Sequence, residues 1–423
     1  MIKKKKKHFK NKLAYMKRFC FCPYYWRGRV YFSKKEMSAI HKIAESYFFY
    51  MKPKWQRYSF MGLLMLIWPV RVFLLSLKLV SKFGSDVERR SGVSRLRQLR
   101  ELFYISLHFG VSPRLYYRYQ VYLSESKEKI AFYIYDHEIQ GLFSYLNKFS
   151  KRIELNNKRA FADLCFQHSF PHAETLGVFS KGECLVDGEQ VEGNGFCHDL
   201  FIKPITGCKG ENAKLWIFND GYYHLCGSHE IFDWRQLIKY YKNESKERGF
   251  LVQKKIKSHQ ALKEIAGNTV CCVRLVTFVK GGHDIEFLDG VLKFPVSDEV
   301  INNIGFISKI DTKTGKLTKA YDYRINSQPL DRHPTKNIKF KEVVVPGWSN
   351  VLKLARRAHR RLFSEYFSIG WDIAITERGP ILLEANEYWD VFTMQRALEV
   401  PLGDTAFGVS CFERAYKICQ EGP

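Results

Sequence analysis

The amino-acid sequence predicts an α+β protein, a body mixed in helix and strand preceded by a basic, largely helical N-terminal region. Three observations predict it. Of the 68 lysines and arginines, 25 fall in residues 1–100, against 4 of the 43 aspartates and glutamates, so most of the net charge of +25 belongs to one end. From about residue 156 onward, runs rich in β-branched and aromatic residues alternate with helical ones. Residues 370–390 carry two alternating strands around a glycine-containing turn, with carboxylates on one face. A chain of 423 residues that is 46% hydrophobic has length for two or three domains and is no disordered polymer.

The N-terminal region opens with Lys3 to Lys7 and continues through Lys10, Lys12, Lys17, Arg18, Arg27 and Arg29, interleaved with aromatic residues. Its first long apolar run, Phe60–Val80, contains Pro69, Arg71 and Lys78. The charged stretch is too long for a signal peptide, and the interrupted run suits a kinked helix at a membrane surface better than a spanning one, a core helix of a basic N-terminal domain being the other possibility. Residues 1–100 are therefore read as a region that meets an anionic membrane. A nucleic-acid arm is the competing reading, but the apolar run has no role on DNA. Residues 101–157 are read as a helical adaptor broken at Ser112–Pro113, with apolar spacing such as Leu99, Leu102 and Phe103 just before it. The 11 cysteines form no CxxC pair, which argues against a zinc finger and for reduced thiols in a cytosolic compartment.

In the body, strands are predicted at 198–205, 213–220, 222–228, 269–279 and 283–294, and helices at about 234–247 and 349–366. The segment 370–390 reads as a hairpin whose strands 371–376 and 380–386 flank Glu377-Arg378-Gly379. If Thr376 faces Pro380, Asp372 lies opposite Glu384 with Asn386 on the same face, and Trp371, Ile373, Ile375, Ile381 and Leu383 form the apolar face. Two carboxylates and an amide converging suit Mg²⁺, the other possibility being a solvent-facing polar stripe. Opposed like charges should also cost stability, so neutralising one should raise it in the absence of metal. Lys203 ends an apolar strand before Ile205–Gly210, where Gly207 and Gly210 permit close approach to a phosphate. Arg274, on a strand face shared with Val270, Cys272, Val276 and Phe278, needs an anion, which could be a structural carboxylate such as Glu286 or Asp289.

From Gly370 to Asn386 the chain resembles the ATP-grasp enzymes, in particular their sugar-transfer-associated subgroup, whose closing segment has the form GWD, aliphatic-A-aliphatic-T, GP, aliphatic-L-aliphatic, E-x-N. The resemblance extends over residues 150–400. Asn157 to Phe161, FIKPITGCKG (201–210), LVQKKIKSH (251–259) and VRLVTF (273–278) are similar to the other expected pieces, in order. It implies an ATP-grasp fold, two α+β lobes clasping ATP, with lobes at 158–255 and 256–423. It also implies Lys158, Lys203, Gly207, Lys209 and Gly210 at the ATP phosphates, Gln253, Lys254 and Ile256 at the adenine, Arg274 with Lys203 as catalytic groups, and Asp372, Glu384 and Asn386 as Mg²⁺ ligands. From the bare residues, Lys158 and Lys209 could equally be surface lysines.

The activity implied is an ATP- and Mg²⁺-dependent ligase joining a carboxylate to an amine, and the subgroup's name implies a glycan or glycan precursor among its substrates. Phosphoryl transfer to a hydroxyl is the alternative. Two departures, a single Gly305 after Asn303 and the continuation EYWDVF after Asn386, fall where the second substrate would lie. His333, in DRHPTKN, corresponds to a histidine-proline segment of the subgroup. The location implied is cytoplasmic, peripheral on the inner face of the plasma membrane.

Overall fold

The computed structural model describes residues 39–44, 54–150, 155–186, 189–190, 196–207, 210–267, 269–295 and 305–420. The basic run of residues 1–38 lies outside them, as do Cys208, Lys209 and Asn303.

The helix Lys54–Ser91 runs continuously through Pro69. Its C-terminal half packs on the helix Arg95–His108, which begins where the Ser94 side chain accepts from the Arg97 N–H, and on Pro113–Arg118, around Leu79, Val87, Leu102, Ile105, Leu115 and Tyr116. The Gln98 amide, buried there, donates to the carbonyls of Gly84 (3.0 Å) and Val93 (2.7 Å) and accepts from Tyr117. Such a satisfied amide ties the turn after the long helix to the next element. No helix among the described residues is long and apolar enough to cross a membrane.

The body contains two antiparallel sheets. In the first, β1 (Thr175–Ser180), β2 (Glu183–Val186), β3 (Glu189–Gln190), β4 (Leu200–Pro204), β5 (Lys214–Asn219), β6 (Tyr222–Leu225), β7 (Ile231–Phe232) and β8 (Phe250–Lys254) are ordered β3-β2-β1-β8-β4-β5-β6-β7. One face, with Phe179, Leu200, Ile202, Trp216 and Val252, is covered by Leu237 and Tyr241 of the helix Trp234–Glu244. That helix starts on a capping box between Asp233 and Gln236. Alternation along β4 therefore turns Phe201 and Lys203 to the other face.

The second sheet contains β9 (Cys272–Lys280), β10 (Asp284–Phe287), β11 (Gly290–Pro295), β12 (Gly305–Ile310), β13 (Leu317–Asp322), β14 (Ser368–Thr376) and β15 (Gly379–Asn386), in the order β13-β12-β11-β9-β14-β15. The segment 283–294, predicted as one strand, is two: β10 and β11 lie along the same edge of β9, separated at Leu288–Asp289. Both faces are covered. Val273, Leu292, Trp371 and Ile373 pack on Phe161, Leu262, Val351 and Leu354 from helices, while Val276, Phe278 and Val291 pack on Phe143, Met394 and Phe407. The fold is the mixed α+β one expected, with a helical region before it. Strands β1–β3, β7, β8, β12 and β13 were not predicted, because they are short runs of two to six residues that carry little periodicity.

Candidate active site

The β14–β15 hairpin brings the predicted carboxylates together by a route the sequence did not show. Its turn contains two residues, Glu377 and Arg378, because Thr376 pairs with Gly379 and not with Pro380. That register alone would set Asp372 off from Glu384. A bulge between Asp372 and Ile373 shifts the pairing by one residue, so Asp372 faces Glu384 and Gly370 faces Asn386. The bulge also corrects the apolar face of β15. Leu382 and Ala385 are buried against Trp371, Ile373 and Ile375, while Ile381 and Leu383 are only half-buried.

Asp372 is paired on its other side with Arg274 of β9. The Arg274 Nε and Nη2 donate to the two Asp372 oxygens at 2.9 and 2.7 Å, a bidentate pair. The structural carboxylate that Arg274 meets is Asp372, not Glu286 or Asp289. Lys293 of β11, the neighbour of β9 on the far side, reaches the same carboxylate at 3.4 Å, and the Cys272 thiol donates to it at 3.3 Å. Burial works to raise the Asp372 pKa, but Arg274 and Lys293 outweigh it and hold the carboxyl at about 2. Burial likewise opposes the Arg274 charge, and Asp372 more than restores it. Burial, with Asp372 next, pushes the Cys272 thiol well up, so it is a protonated donor. The expectation that neutralising Asp372 relieves repulsion is therefore overturned: its nearest charges are cations.

Lys203 enters from the first sheet. Burial pushes its ammonium down to about 8; Glu384 and Asp372 act to raise it, and Lys158 to lower it. Lys158 is the first residue of the helix Lys158–Gln167, whose Asn157 cap accepts from the Arg159 and Ala160 N–H groups. Its ammonium donates to the Gly207 carbonyl at 2.7 Å and lies 3.7 Å from Glu384. Only 12% of that side chain is exposed, which sets aside the surface-lysine alternative. Gly207 has φ +128°, a conformation other residues resist, and this aims its carbonyl group at Lys158. Three cations thus lie within 4 Å of two carboxylates, Arg274 and Lys293 at Asp372 and Lys158 at Glu384, leaving an excess of positive charge.

Residues 140–404 match the family described as sugar-transfer-associated ATP-grasp. The chain belongs to the sugar-transfer-associated ATP-grasp family. Among curated proteins none matches it. Solved structures similar to it include D-alanyl-alanine synthetase A from Vibrio cholerae O1 biovar eltor (11% identity, 62% of this chain and 65% of that one, TM-score 0.34). Others are the ATP complex of D-alanine–D-alanine ligase from Bacillus anthracis (10%, 64% and 68%, 0.35) and an L-amino acid ligase from Bacillus licheniformis (9%, 66% and 51%, 0.34). The chain thus spans less than two thirds of the first of these.

In this ATP-grasp chain the hinge candidates lie at the end of β8. Gln253 is buried and donates to the Ala173 carbonyl at 3.3 Å. The backbone N–H groups of Lys254 and Lys255 donate to the Glu174 and Asp199 carbonyls, and the Lys254 ammonium lies 3.9 Å from Glu174 at the surface. Ile256 is half-buried. Gly210 has a positive φ of 67°, and Lys209 lies outside the described residues. His333 is buried against Phe294, Phe306 and Phe340, and its Nδ1 accepts from the backbone N–H groups of Thr335 and Lys336, which makes it a turn cap away from the carboxylates.

Asp372, Glu384 and Asn386 are oxygen donors of the kind that the metal of ATP-grasp chemistry takes, with both Asp372 oxygens already accepting from Arg274. Asp372 is ionised, Glu384 opposes it, and Asn386 Nδ2 donates to the Gly370 carbonyl (3.4 Å) and to Asp372 (3.5 Å), leaving its amide oxygen. All three offer oxygen, the donor Mg²⁺ takes. No group of three or more His, Cys, Asp or Glu able to hold a metal occurs among the described residues. Lys293 was missed by the sequence reading. The signal was there: like Arg274, it is a cation within an apolar strand, between Leu292 and Phe294.

Proposed function

We propose that the protein is an ATP-dependent carboxylate–amine ligase. The observation that carries the reading is the convergence of Lys158, Arg274 and Lys293 on Asp372 and Glu384. Such a cleft attracts a polyanion, and its carboxylates give that polyanion's metal somewhere to sit. We assign residues 158–255 and 256–423 as the two lobes that clasp ATP, with the adenine against Gln253, Lys254 and Ile256.

Lys203 and Lys158 hold the ATP phosphates as point charges, aided by the loop of Gly207, Lys209 and Gly210. Mg²⁺, held by Asp372, Glu384 and Asn386, would neutralise phosphate charge. A substrate carboxylate oxygen attacks the γ-phosphorus, the bond to the bridging oxygen breaks, and ADP leaves. Arg274 spends two N–H groups on Asp372, and the rest of its five donors meet the transferred phosphoryl oxygens. An amine then attacks the acyl phosphate, inorganic phosphate departs, and the amine's proton passes to solvent. No protein nucleophile takes part, so catalysis is positioning and electrostatics.

The family's association with sugar transfer supports a glycan or glycan precursor, a uronic acid or an amino sugar, as one substrate. The basic residues 1–100 support a peripheral position on the anionic inner face of the plasma membrane. The test of the chemistry is incubation with ATP, Mg²⁺ and a pool of uronic acids, amino sugars and amino acids, followed by nucleotide analysis and mass spectrometry. The ligase reading expects ADP, phosphate and a product lighter than its two components by one water. A product heavier by one phosphoryl group, with no free phosphate, would make the protein a kinase.

A further inference from the structure

One face of the helix Lys54–Ser91 turns away from the protein. Leu63, Leu66, Val70, Phe73, Leu74 and Leu77 recur at intervals of three and four residues, so they form one stripe. Each is more than 40% exposed, and Leu66 reaches 79%. The opposite face carries Trp68, Val72, Ser76 and Leu79, all buried. The helix is held in this orientation: the Trp68 indole donates to the Ser106 carbonyl at 3.2 Å, and the Phe73 ring meets Phe103 edge-on at 5.8 Å. A row of aliphatic side chains fixed outward over some four turns needs a cover.

Charge decides among the possible covers. Residues 1–85 contain 20 lysines and arginines and only two acidic residues, Glu36 and Glu45. Arg71 and Lys78 border the stripe on the helix, and exposed Arg97 and Arg100 follow on the next. A second copy laid along the stripe would set positive against positive. It would also lack the charged residues that flank a coiled-coil seam, since Gly62, Ile67, Pro69, Leu74 and Ser76 occupy those positions. A surface with an apolar interior and anionic groups at its edge satisfies both halves of the pattern.

We propose that this face lies flat on an anionic lipid bilayer, with Leu66, Val70, Phe73 and Leu77 in the acyl boundary and the flanking basic residues among the headgroups. The helix lies along the membrane and does not cross it. This deepens the membrane position argued above and is independent of the ligase chemistry, so either can fail without the other.

The test is flotation of the full-length protein with vesicles of phosphatidylcholine containing 30% phosphatidylglycerol, with phosphatidylcholine alone as comparison, at low salt and at 0.5 M NaCl. Wild type is expected to float with the anionic vesicles at low salt and to retain part of that binding at high salt, where charge is screened. The double variant Leu66→Gln/Val70→Gln is expected to lose roughly tenfold or more of the high-salt binding while keeping the wild-type circular dichroism spectrum. Hydrogen exchange on the wild-type protein should show vesicle-dependent protection confined to residues 60–80, a readout that needs no variant. Equal binding by variant and wild type, or protection elsewhere, would overturn the proposal. So would absence of vesicle binding together with a dimer that the variant dissolves, or tight duplex DNA binding in its place.

Discussion

Arg274 and Asp372 stand directly opposite each other on β9 and β14 and close a two-bonded ion pair in which neither side chain is more than 15% exposed. Lys293 approaches the same carboxylate from the next strand. The pair fixes the guanidinium beside the hairpin that also carries Glu384 and Asn386, so the groups proposed to meet the anion and the metal share one rigid support.

Breaking this pair should unfold the protein more readily, not less. Asp372→Ala leaves a buried guanidinium unpaired, at a cost of about 3–5 kcal/mol. Because the folded pKa of about 2 lies below the usual 3.8, the pair's contribution is present above pH 4 and is lost as pH falls through 2. Denaturant unfolding at pH 7 and pH 3 checks both points: the gap between wild type and variant should narrow at the lower pH. A variant as stable as wild type at pH 7 would exclude the pair as a support.

Nucleotide affinity should fall in alkaline solution. Burial holds Lys203 near 8, so its charge is present at pH 7 and disappears as pH rises through that value. The ATP dissociation constant should then weaken by up to roughly tenfold per pH unit above 8. Calorimetry in two buffers of different ionisation enthalpy should record proton uptake on binding at pH 9. Lys203→Met should lower affinity at pH 7 by about 1.5–3 kcal/mol and flatten the pH profile.

Glu384 and Lys158 should separate metal from nucleotide. Glu384→Gln is expected to abolish ADP formation at all Mg²⁺ concentrations with little change in thermal stability, and chelation with EDTA should reproduce that loss in wild type. Lys158→Ala frees the Gly207 carbonyl and is expected to raise KM for ATP roughly tenfold, as for loss of one charge-assisted hydrogen bond. Steady-state kinetics distinguishes the two, and an unchanged KM for Lys158→Ala would remove that lysine from the phosphate site.

Gly370 should accept no side chain. A Cβ there would collide with the Trp389 Cβ, and the indole is buried with its N–H donating to Ser368. Gly370→Ala is expected to destabilise by about 1–3 kcal/mol, and to lower turnover more than a change of equal stability elsewhere because Gly370 pairs with Asn386. Thermal unfolding and turnover, measured together, check this.

Much of the site could be read from the chain because its signals are local. Strand alternation and Gly379 mark the hairpin, Asn157 marks the start of the helix that carries Lys158, and Gly207 marks the loop. The turn was misread all the same. Two- and three-residue turns are close in energy, and the choice is made by the bulge that lets Leu382 and Ala385 fill the core while Glu384 stays opposite Asp372.

By itself, then, the sequence determined which residues carry charge on otherwise apolar strands and which family's order of motifs they follow, since composition and spacing are properties of neighbours along the chain. Only the tertiary structure decided what those charges meet. Lys293 and Arg274 reach Asp372 because β11, β9 and β14 are adjacent, joining segments 79 and 98 residues apart. That strand order is set by the burial of both faces of the sheet against helices from distant parts of the chain, and no local periodicity encodes it.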